Sequence, residues 1–262
     1  MTLILIQVML NFIRPKLLLT IFISLLIFLY IPNLSNLKPQ KVSAQFLSSP
    51  EVNALDDSLN NPSISAFIKS GFNYSQQLYG DPIIAVKKIN LRLHTTPLAS
   101  LDNANQGEFT IYLSRKPSKY AFYGQLGHEI FHLLNARLLD CYAEGMATVF
   151  AEKILTRNNL DWSGWETYFQ QGYEPFYGLT YSMMKEVSET AGSANMSRLL
   201  DFAVDNKANK KWMYIDIDGW LSSMSDYVKI EVEKVIDQYI SQVKPVVESK
   251  NNMFACLAPT KN

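Results

Sequence analysis

The segment of this chain best equipped for chemistry is His128-Glu129-Ile130-Phe131-His132. Two histidines four positions apart, on a helix of about 3.6 residues per turn, project from one face and can chelate a single ion. Nitrogen and carboxylate donors with one position left open suit zinc. Glu129, beside the first histidine, stands where a carboxylate can take a proton from a water in that open position. The chain has 3 histidines. The third, His94, closes a strand-like stretch and is expected to be structural rather than a ligand.

A second signal follows in the right order. After His132 come Leu133 to Asp140, and Tyr142-Ala143-Glu144-Gly145-Met146-Ala147 then opens another apolar, helix-forming run. Together these segments resemble the gluzincin, or peptidase-MA-like, family of metallopeptidases, whose third ligand is a glutamate on the helix after H-E-x-x-H. The resemblance implies a zincin-like fold, one zinc ion per chain held by His128, His132 and Glu144, Glu129 as general base, and a peptide or protein as substrate. Ala143 departs from the asparagine common in the family, and the connector is short. Gly145 is expected to let helices approach closely. Further on, Phe176-Tyr177-Gly178-Leu179-Thr180-Tyr181 resembles the helix that carries an oxyanion-binding tyrosine in aminopeptidase-like members. Tyr177 is in register with that tyrosine, Tyr181 one turn later is its rival, and Leu179 and Thr180 stand where the family has Lys and Gly. The resemblance runs from Tyr120 to about Phe202. A Gly-x-Met-Glu-Asn segment, the family's device for capturing a free amino group, is missing from the sequence. The comparison therefore implies an endopeptidase rather than an aminopeptidase. Asp140, Asn135 and Glu152 are the candidates for orienting the imidazoles.

These side chains need a frame. Ser63 to Tyr79 reads as a helix, and Ile83 to Leu93 carries the alternation Ile89, Leu91, Leu93 of a strand. Phe109 to Leu113 reads as a second strand, placed ahead of the motif helix as an edge on which an extended peptide could pair. Helices are expected over Tyr120–Ala136, Tyr142–Thr156, Tyr177–Thr190, Met196–Val204 and Tyr227–Val243. A small sheet ahead of a helical remainder is an α+β arrangement, with residues 63–262 as the metallopeptidase domain. Residues 45–62, rich in Ser, Asn and Pro, read as a flexible mature N-terminus.

Composition narrows the partners. Lys plus Arg and Asp plus Glu number 24 each, without a block of like charge in the mature part, which argues against a nucleic-acid partner. Arg14 and Lys16 precede an uncharged apolar run from Leu17 to Ile31, and Val42-Ser43-Ala44 supplies small residues at the spacing a signal peptidase reads. Residues 1–44 are thus a signal peptide or, if uncleaved, a membrane anchor. In both cases the domain is exported to the periplasm or the exterior. Cys141 and Cys256 suit an oxidising compartment, either as a bridge or as two buried thiols. The alternative to an enzyme is an exported, zinc-containing binding protein that keeps the same fold without catalysis.

Overall fold

Four strands build the main sheet: β1 (Glu51–Ala54), β2 (Lys88–Leu93), β3 (Leu98–Asn103) and β4 (Glu108–Leu113), in the order β1-β2-β4-β3. The computed structural model describes residues 49–117, 121–207 and 209–249, together with Phe254, Cys256, Leu257, Pro259 and Thr260. The expected signal segment and Tyr120 lie outside these residues. β1, β2 and β4 are parallel, while β3 runs antiparallel to β4 along the edge. The register pairs Ile89 with Phe109 and Leu91 with Ile111, so all four apolar side chains are buried together. Gly107 in the β3–β4 turn has φ of 63°, and a Cβ there would lie 2.1 Å from the Ala85 carbonyl oxygen, so only glycine fits.

Two expectations about the strands are corrected. The segment 45–62, read as flexible, contributes β1, whose backbone pairs with β2 from Glu51–Lys88 to Ala54–Leu91. Four residues are too short to show periodicity, and the ladder to β2 supplies what the composition hides. β4, expected at the edge, is interior. The edge belongs to β3, whose sequence Leu-Ala-Ser-Leu-Asp-Asn has little strand propensity and is held by the hairpin to β4.

Helix α1 (Pro62–Tyr79) crosses from β1 to β2. Asn61 caps it by accepting the Ser63 N–H at 2.8 Å, Pro62 opens it, and Gly80 with φ of 90° ends it. Its buried face, including Ile64, Phe67, Ile68 and Phe72, joins the core between the sheet and the next two helices. These are α2 (Ala121–His132) and α3 (Cys141–Arg157). α3 is buried nearly all round, as a central helix must be. Then follow α4 (Ser163–Gln170), α5 (Pro175–Ala191), the short α6 (Ser193–Met196), α7 (Ile217–Ser222) and α8 (Asp226–Ser249). The region expected as a helix over Met196–Val204 is instead the end of α6, a 3-10 turn at Leu199–Phe202 and β5 (Ala203–Asp205), which pairs with β6 (Met213–Ile215). Mixed sheet and helices make the chain α+β. Among the described residues no helix is long and apolar enough to cross a membrane.

Candidate metal centre

α2 ends at His132, so His128 and His132 sit on its last turn and face the start of α3. The two helices can pack this closely because Gly127 has no side chain: a Cβ there would lie 2.9 Å from Ile154 Cγ2 and 3.1 Å from Ala151 Cα. Asp140 fixes the start of α3 from the other side. Its carboxylate accepts the Ala143 N–H at 2.7 Å and the Ile215 N–H at 2.5 Å, tying the helix cap to β6. Burial pushes the Asp140 carboxyl up to about 6, against the pull of those two N–H donors. Glu144 follows in the first turn of α3 and points back at the histidines.

The three side chains converge. His128 Nε2 lies 3.2 Å from His132 Nε2 and 3.2 Å from Glu144 Oε2, and His132 Nε2 lies 3.6 Å from Glu144 Oε1. Donors about 2.0–2.2 Å from a tetrahedral ion stand roughly 3.3 Å apart, so the group has the span of a metal site. Burial pushes the Glu144 carboxyl up, but the charges of His132 and His128 and their hydrogen bonds outweigh it and hold the group at about 2. Burial pushes His132 down, and the carboxylate of Glu144, with Glu129 and Asp140 behind it, carries it above the ordinary histidine value. These are anionic and imidazole donors pressed together, the chemistry a cation resolves.

Thr148 determines how His128 presents itself. Its hydroxyl donates to the Glu144 carbonyl at 2.9 Å, which commits its only proton. The contact of 3.2 Å between His128 Nδ1 and Thr148 Oγ1 must then have Nδ1–H as donor, leaving the Nε2 lone pair for the centre. None of the three residues expected to orient the imidazoles by hydrogen bond does so. Asp140 caps α3, Asn135 accepts the Arg137 N–H at 3.1 Å, and Glu152 accepts from Tyr181 and Lys185. Thr148 was legible in principle, because it lies one turn after Glu144 on the same helix face.

Glu129 is 4% exposed and sits beside the triad without joining it. Burial pushes its carboxyl above the usual range, partly opposed by the two histidines and by a hydrogen bond from the Ala99 backbone. Ala99 belongs to the edge strand β3, which packs against α2.

Tyr177, on the first turn of α5, meets the His128 ring edge-on at 5.7 Å. Burial, with the charges of Glu144 and Glu129, pushes its phenol well above the ordinary value, so the hydroxyl stays a neutral donor. Tyr181 is placed elsewhere: its hydroxyl is shared among Trp162, Glu152 and Lys185. His94 lies at the end of β2, contacting Thr96 and the Tyr112 ring, away from the triad. Gly145 does allow a close approach, but to α5 rather than α2, since a Cβ there would lie 2.4 Å from the Thr180 carbonyl oxygen.

No protein family, curated protein or solved structure matches this chain. What the site can do therefore rests on its own geometry.

His128, Glu129, Thr148 and Tyr177 open on a cleft of about 780 Å³. Its lining also includes α4, a helix not expected from the sequence. There the Trp165 indole lies against Gly124, where a Cβ would be 2.0 Å from Nε1, and that nitrogen has no hydrogen-bond partner among the described residues. Trp162, Tyr168 and Phe169 continue the wall. The cleft thus joins a polar end beside the His128–His132–Glu144 triad to an aromatic end.

Proposed function

We propose that this chain is an exported, zinc-dependent endopeptidase, with His128, His132 and Glu144 as ligands and Glu129 as general base. The observation that carries the reading is the convergence of the three donors to 3.2–3.6 Å at the head of a cleft, with a buried carboxylate beside them. The gluzincin resemblance of the same residues supports it. When bound, zinc would supply Lewis acidity toward a carbonyl oxygen and lower the pKa of water toward about 7.

The chain's own residues do the rest. The raised proton affinity of Glu129 suits it to accept the proton of the attacking water and hand it to the leaving amine. Tyr177 offers a neutral O–H toward the oxygen that gains charge, a role worth about 3–4 kcal/mol of barrier in comparable oxyanion sites. β3 is the edge strand of the sheet and packs against α2, and Thr96 and Pro97 just before it line the cleft, so an extended peptide adding to it as a strand would lay its backbone across the cleft. The aromatic wall accepts a large apolar side chain. A structural zinc would close its fourth position with a protein ligand, and among the described residues no further His, Cys, Asp or Glu joins the three.

The test compares the zinc-loaded chain with Glu129→Gln on a mixed peptide library. The variant is expected to keep its zinc and fold and to lose at least about 100-fold in hydrolysis. Equal cleavage by both proteins, or none by either with zinc bound, would overturn the reading.

A further inference from the structure

The Cys141–Cys256 disulfide joins the first residue of α3, three positions before Glu144, to a segment 115 residues later, with the Cα atoms 5.1 Å apart. Tyr142, next to Cys141, donates its hydroxyl to the Leu257 carbonyl at 2.5 Å. Two residues before Cys256, Phe254 is 6% exposed. Its ring stacks on Phe176 at 4.5 Å, meets Tyr177 edge-on at 6.5 Å, and lines the same cleft as His128 and Glu129. The C-terminal segment therefore reaches the working end of the cleft, and a covalent bond from the metal-bearing helix holds it there.

We propose that Phe254 is a specificity-determining residue of this cleft, delivered by the Cys141–Cys256 bridge, and that with the wall of α4 it selects substrates carrying an aromatic side chain. This rests on the reading of the cleft as a substrate site. Outside α4 and the Trp162 before it, Tyr177 and Phe254 are the Phe, Tyr or Trp rings that line the cleft, and Phe254 is fixed by stacking on Phe176 and meeting Tyr177 edge-on. An aromatic guest needs rings on more than one side to gain offset-stacked and edge contacts. Trp165 and Phe169 of α4 and Phe254 of the C-terminal segment, from two separate parts of the chain, line the one cleft. The bridge matters because a terminal segment with one buried ring has little to set against the entropy of ordering it.

The experiment uses the zinc-loaded full chain and two probes, a dipeptide hydroxamate with a phenylalanine side chain and its alanine counterpart, with binding read by calorimetry. Wild type is expected to prefer the phenylalanine probe. Phe254→Ala should lose about three- to ten-fold of that preference, with the alanine probe unaffected, while Phe254→Leu retains most of it. Both variants keep the disulfide. Cys256→Ser should behave as Phe254→Ala. An unchanged preference in Phe254→Ala, or no binding of either probe by wild type, overturns the proposal. A preference lost in Phe254→Ala but kept in Cys256→Ser overturns delivery by the bridge. Wild type that shows Phe254-dependent binding yet cleaves no peptide leaves this proposal standing and overturns the peptidase reading alone.

Discussion

At the scale of single residues, the ligand set leads to a sharp expectation. His132→Ala and Glu144→Ala should each bring zinc content well below one per chain, whereas His94→Ala should keep it, as measured by metal analysis after dialysis. Thr148→Ala should keep the zinc but bind it about 10–100-fold more weakly, because His128 loses the acceptor that fixes its tautomer. Competition with a chromophoric chelator reads that change, and an affinity equal to wild type would remove Thr148 from the site. The histidine pair was legible in the sequence because helical spacing alone puts His128 and His132 on one face, whereas Glu144 was indicated by the family resemblance. Their hydrogen-bond partners were not: Glu152 lies on the same helix as Thr148, and only the packing of Tyr181 and Lys185 turns it away.

At the scale of elements, α3 is aimed by its cap. Asp140→Ala removes a cap worth about 1 kcal/mol and leaves the Ile215 N–H without its partner in the interior, at a further cost of about 1–3 kcal/mol. Urea denaturation should report a loss of about 2–4 kcal/mol. Gly145→Val should be worse tolerated than a surface substitution, since its side chain would meet the Thr180 carbonyl and Met184 of α5. Long helices with clear apolar periods, such as α1 and α5, were readable within a few residues. The short strands β1 and β3 were not, because a strand of four to six residues is defined by its neighbours in the sheet. The same cause misplaced the edge: nothing in Phe109 to Leu113 reveals that β3 will fold over its free side. α4 escaped for a different reason. At 8 residues it is little more than two turns, too short for the i, i+3, i+4 spacing of Trp165, Tyr168 and Phe169 to stand out as a helical period.

At the scale of the whole molecule, the disulfide closes a very long loop. In the chain-entropy account a bridge across about 100 residues stabilises by roughly 4–5 kcal/mol, so Cys256→Ser should lower the unfolding free energy by up to that amount. A loss below about 0.5 kcal/mol in denaturant titrations would show that the bridge only fastens the C-terminal segment locally. The bridge also imposes an order in time. Cys141 leaves the ribosome long before Cys256, and between them come α3, α4, α5 and α8. A chain caught midway through synthesis already holds both histidines and Glu144 but has no partner for Cys141, so formation of its disulfide marks the moment when Phe254 reaches the cleft. Pulse labelling with thiol-reactive mass tags should accordingly find Cys141 reduced in every nascent chain shorter than 256 residues.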